Sequence, residues 1–136
     1  MIDRHDEENH AMRYMIINKA DADSEAGILP SEEVATAVGQ AVEAMSKAGV
    51  LLFAEGVHRS ALGTRVKVEG GRRTVTDGPF AETKELIGGV IVVEVRNRDE
   101  AVEWAARLAE ALGSEVEVRR VVEEADFDPD SDLYQS

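Results

Sequence analysis

The chain is 136 residues long, contains no cysteine and carries a formal charge of −13. That length fits one domain with one core, burying about 65–70% of the unfolded surface, and the missing thiols exclude disulfides, a cysteine nucleophile and thiolate metal ligands. Most of the charge sits at the ends, with four acids against one arginine in residues 1–10 and six acids with no base in residues 123–136; an acidic balance argues against nonspecific nucleic-acid binding and anionic membrane surfaces, both of which depend on Lys and Arg.

Apolar runs such as Val50-Leu51-Leu52-Phe53-Ala54 are far short of the roughly 20 residues that span a bilayer. The start of the chain is acidic where a signal peptide would be basic and then apolar. The expectation is a soluble, cytoplasmic protein with no membrane and no nucleic-acid partner.

Residues 1–11 lack apolar periodicity and read as a disordered acidic N-terminal tail. Arg13 to Ile17 reads as a short, largely buried first strand, and the polar, small-residue stretch from Lys19 to Pro30 as a surface loop that lies over a cavity mouth. Asp21, Asp23 and Glu25, with Glu32 at the twelfth position, are similar to a calcium loop. However, the sixth position is Ala26 where such loops need Gly. Ser31 caps a helix whose first turn holds Glu32 and Glu33, opposing the positive end of the dipole. Val34, Ala35, Val38, Ala41, Val42 and Met45 give that helix an apolar stripe, and Gly49 ends it.

Val50 to Glu55 is the second strand, and Gly56 to Gly63 turns the chain toward a hairpin with Gly70-Gly71 as its two-residue turn. Arg65, Lys67, Arg72 and Arg73 make its surface the one basic patch, read as a solvated face. After Gly88-Gly89, Val90 to Val95 is a strand; Asn97 and Glu100 are placed as a capping box for a helix with Val102, Ala105, Ala106, Ala109 and Leu112 on its apolar face, widened by Trp104 and Leu108 and closed by Gly113. Val116 to Val122 is the last strand. The order predicts an α+β fold, a split βαβ sheet with an inserted β-hairpin and both long helices on one face. The other face of so apolar a sheet then needs covering, which points to a homodimer.

Between hairpin and sheet lies Asp77-Gly78-Pro79-Phe80-Ala81-Glu82-Thr83-Lys84-Glu85, which packs four charged side chains around a forced turn. Gly78 is able to take φ > 0, Pro79 fixes φ near −65°, and Asp77 caps the turn. With Glu55-Gly56-Val57-His58-Arg59-Ser60 and Thr74-Val75-Thr76 upstream, this stretch resembles the signature of the DGPF-domain proteins within the YCII-related superfamily. The resemblance runs from Met12 to Phe127 and implies a ferredoxin-like chain that dimerises into an α+β barrel enclosing a cavity. It divides the sequence into a tail over 1–11, one domain over 12–124 and an acidic C-terminal tail over 125–136. Many relatives read Gly-Leu-His-Pro-Ser where this chain has Gly56-Val57-His58-Arg59-Ser60, so a long cation replaces a stiffening proline.

Four functions compete for these residues. In the first, His58 and Asp77 are catalytic and Arg59, Ser60, Glu82 and Lys84 bind a small polar ligand in the dimer's cavity; a histidine titrates near neutrality without assistance. In the second, they are scaffold: Asp77 a turn cap, Thr83 a helix cap, Phe80 a core plug. The third is a metal held by His58, Asp77 and Glu82, a set without the tight spacing of a helical His pair; neither metal nor other cofactor is expected. The fourth is a non-catalytic regulatory module that contacts another protein through the Gly56 to Ser60 loop, in keeping with the placement of some family members beside alternative sigma factors.

Overall fold

The computed structural model describes residues 11–81 and 85–130. Among these residues are six strands, β1 (Met12–Lys19), β2 (Leu51–Gly56), β3 (Thr64–Glu69), β4 (Arg72–Asp77), β5 (Ile87–Val95) and β6 (Val116–Arg120), with helices α1 (Ala22–Glu25), α2 (Glu32–Lys47) and α3 (Arg98–Leu112). Four strands form an antiparallel sheet in the order β2-β5-β1-β6, and β3-β4 stand apart as a two-stranded hairpin. This is a ferredoxin-like α+β fold. One chain forms an open sheet, not a closed barrel.

Side-chain alternation sets the layers. Tyr14 and Ile16 of β1 lie opposite Val93 and Ile91 of β5, and with Val95 they pack on Met45 of α2 and Ala101, Ala105 and Leu108 of α3. Ser31 accepts the Val34 N–H at 3.1 Å to cap α2, and Gly49, at φ 75°, follows its end. Asn97 caps α3 through the Glu100 N–H at 2.9 Å, while the Glu100 carboxylate accepts the Arg96 N–H, one residue beyond the reach a capping box would have. The buried stripe of α3 is rotated from the expected one: Ala101, Ala105 and Leu108 are buried, whereas Val102 and Ala106 are exposed. Small residues at 101 and 105 let α3 approach the sheet and α2 closely, so packing selects them over the larger Val102.

β5 begins earlier than the apolar run suggests and takes in Gly88 and Gly89. A Cβ on Gly89 would stand 2.8 Å from Asn18 Oδ1 and 3.1 Å from the Glu55 carbonyl, so only glycine lets β1 and β2 flank β5 there. Beyond β6 the chain stays attached: Arg13 donates to both oxygens of Glu123 at 2.8 and 3.0 Å, and the buried Asp126 accepts from Arg120 and from the Glu123 N–H. Among the described residues no helix is long and apolar enough to cross a membrane.

The sheet face away from the helices reads across the strands in two registers, Phe53-Val92-Met15-Arg119 and Glu55-Val90-Ile17-Glu117. Its centre is apolar and its margins are charged. Both long helices lie on the opposite side.

Candidate functional site

Three segments distant in sequence meet where the hairpin leaves the sheet. The first follows β1: Asp21 and Ser24 cap each other reciprocally to form α1, which turns Glu25 inward. The second is the loop after β2, held to β5 by the Val57 N–H on the Gly88 carbonyl and ending in a 3₁₀ turn over Ser60–Leu62. The third is the start of the nonapeptide, where the Gly78 N–H donates to the Gly63 carbonyl at 2.9 Å and the Gly78–Pro79 peptide is cis.

Ser60 joins them. It is 8% exposed, its N–H donates to Glu25 Oε1 at 2.8 Å, and its hydroxyl donates to Glu25 Oε2. The same hydroxyl accepts the Phe80 N–H at 2.9 Å. The Ser60 hydroxyl therefore both donates and accepts, as a buried polar group requires. These bonds hold the Glu25 carboxyl below its ordinary pKa, the Ser60 hydroxyl contributing most, then its backbone N–H, with the Arg59 charge adding to them.

Close packing fixes the rest. A Cβ on Gly78 would fall 1.8 Å from the Ser60 carbonyl oxygen. Gly78 does not have positive φ, so this position needs glycine for room and not, as the sequence suggests, for backbone freedom. Gly27, at φ +81°, lies under the Arg59 guanidinium, 1.7 Å from where its Cβ would be. Phe80 does not plug the core: it is half-buried at the surface with the Arg65 guanidinium 3.9 Å above its ring.

The expected site residues are distributed as follows. Ser60 is the hub and Arg59 leans over Gly27 beside Glu25. His58 is exposed on the same loop, with no hydrogen bond or ion pair among the described residues. Asp77 is exposed at the end of β4 and accepts from Thr64 Oγ1 at 3.3 Å, across the hairpin. Glu82, Lys84 and the cap assigned to Thr83 lie outside the described residues. Glu25 was not singled out for this site by sequence reading. Within the acidic, calcium-like run its neighbours have the same composition, and only the Asp21–Ser24 cap marks the turn that aims it. That run is instead a capped turn with Glu25 committed to Ser60. Among the described residues no three His, Asp or Glu side chains converge to hold a metal.

Two surface hollows lie elsewhere among the described residues. One of about 640 Å³ lies between α3 and β6, lined by Tyr14, Arg98, Val102, Val118 and Arg120 among others, and one of about 370 Å³ lies between the two long helices. Neither is lined by an expected site residue. The corner at Ser60 is a clasped surface with exposed polar groups.

Compared with known proteins, residues 12–125 match the family model described as the YCII-related domain, which spans Glu25, Ser60 and the whole nonapeptide. No curated protein sequence matches the chain.

Proposed function

We infer that this chain, which belongs to the YCII-related domain family, binds a small polar molecule at the Ser60 corner, as a dimer whose second copy faces the open sheet. The observation that carries this reading is the Ser60 clasp, in which one hydroxyl bonds partners 35 and 20 residues away in the chain. Loop backbone at a sheet end is normally among the least stable parts of a fold. Here it is pinned by charge-assisted bonds and by the close approach of Gly78 to the Ser60 carbonyl, which leaves no room for a side chain. Rigid backbone under exposed polar groups is what ligand recognition requires, because immobilising a side chain during binding costs about 0.5–1.5 kcal/mol.

On that platform Arg59 is the anion-binding group, and His58 and Asp77 have the chemistry of a general base and acid. Glu82 and Lys84, which follow Phe80 in the chain, complete the set. The test is a thermal-melt screen of the full chain against phosphate, small carboxylates and small polar metabolites, repeated with His58→Gln and Arg59→Met. At least one compound is expected to raise the wild-type melting temperature and to lose most of that effect in one variant. A flat response across the panel, or equal shifts in all three proteins, refutes the reading.

A second reading, a non-catalytic module that docks another protein, is favoured by Leu29, Ile28, Val57 and Leu62. All four are exposed, and they lie close in sequence to the Gly27–Arg59 contact or to Ser60. Scattered apolar residues are ordinary on surfaces, but four exposed ones in the two segments that meet at this corner are of the kind partners use. Under this reading the melt screen stays flat while Leu29→Glu and Leu62→Glu leave the stability of the isolated chain unchanged.

A further inference from the structure

We propose that the β3–β4 hairpin is a docking arm, whose valine face lies on the open sheet of a second copy of this chain; this rests on the dimer in the reading above. Register divides the hairpin into two faces. Arg65, Lys67, Thr74 and Thr76 are on one, and Arg65 of that face covers Phe80, so it is turned toward its own corner. Val66, Val68 and Val75 are on the other, and they are 62%, 64% and 58% exposed. A two-stranded hairpin is marginal in water without something to pack against, and β-branched residues on both strands of one face have no use in solvent.

Charge identifies the occupant. The hairpin holds Arg65, Lys67, Arg72 and Arg73 against Glu69 and Asp77, so it is net cationic in a chain whose formal charge is −13. The back of the same chain's sheet is apolar, with Phe53 45% exposed at its β2 edge beside the buried Val92 and half-buried Met15, and with Glu55 and Glu94 exposed on that same face. Arg73, paired with Val68 on the valine face, is complementary to Glu55, whereas Glu94 lies opposite Arg13 of its own sheet. Exchange of arms about a two-fold axis repeats the contact, which brings small apolar patches toward the roughly 1,200–2,000 Å² that a stable interface buries. It also sets the Ser60 corner, from which each arm springs, against the other copy's sheet.

The experiment uses the full chain and its freedom from cysteine. Sedimentation velocity should give about twice the 14.8 kDa chain mass for the wild type and the single mass for Val66→Glu/Val75→Glu, with unchanged far-ultraviolet circular dichroism. In a second measurement, chains carrying Val68→Cys are mixed with chains carrying Glu55→Cys and treated with a short bis-maleimide. Cross-linked dimer is expected from the mixture and not from either chain alone. If the double variant remains a dimer, or Val68→Cys chains cross-link only with one another, the docking arm is refuted and the dimer stands. A wild type that sediments as a monomer refutes both. If the double variant loses its fold, the cross-linking decides, and its failure in the mixture overturns the proposal.

Discussion

Gly78→Ala tests whether the corner is clasped or merely adjacent. The added methyl would stand 1.8 Å from the Ser60 carbonyl oxygen and 2.7 Å from its carbon, and ordinary contact begins at 3.4 Å. Both obstacles are backbone, so no rotamer change relieves them; one segment has to retreat by about 1.6 Å, the difference between contact and overlap. That retreat breaks the 2.9 Å bond from the Gly78 N–H to Gly63 or the 2.9 Å bond from the Phe80 N–H to Ser60. Overpacking of this kind costs about 1–3 kcal/mol, and one or two lost hydrogen bonds add about 1 kcal/mol each, giving roughly 2–5 kcal/mol in total. For a domain of this size that is a fall in melting temperature of roughly 7–18 °C. Urea unfolding of the purified chain measures it, with Gly49→Ala as control. Gly49 has open space around its Cβ position, and at φ +75° its replacement costs about 1–2 kcal/mol in backbone strain. If Gly78→Ala is no more destabilising than Gly49→Ala, the Ser60 carbonyl yields freely and the rigid-platform argument fails.

The Glu25 clasp predicts a pH dependence. A carboxyl whose folded pKa is lowered, chiefly by the Ser60 hydroxyl and then its N–H, contributes stability that is fully present above its unfolded pKa and is lost as pH falls through the folded value. The urea midpoint of the wild type should therefore exceed that of Glu25→Gln near neutrality, with the gap narrowing as the pH falls through and below the ordinary carboxylate range; a gap constant with pH contradicts the assignment. The rotated face of α3 predicts that Leu108→Ala, which empties a fully buried position, costs about 2–5 kcal/mol, while Val102→Ala costs less than about 1 kcal/mol. Equal losses in denaturant unfolding would return Val102 to the core face.

Element identity and order were legible in the amino-acid sequence because the signals that set them are local. Ser31 and Asn97 cap the helices whose starts they mark, Gly70 and Gly71 make the hairpin turn at φ 55° and 78°, and Gly113 closes α3 in the left-handed conformation. Helices and strands so ordered leave few antiparallel arrangements of the sheet, and the one observed follows. Tertiary structure decided which side chains meet. Glu25 and Ser60 are 35 residues apart, and Ser60 and Phe80 are 20 apart; no periodicity relates such positions, because their proximity depends on how β1, β2 and the hairpin end at the same edge of the fold. The same holds for Gly78, whose need for glycine comes from a carbonyl of another segment and not from its own φ, and for α3, where the inward stripe was chosen by the space between sheet and helix. Caps and turns are energies of adjacent residues and can be read from the chain, whereas a contact between distant segments is a property of their packing and exists only once the fold has placed them.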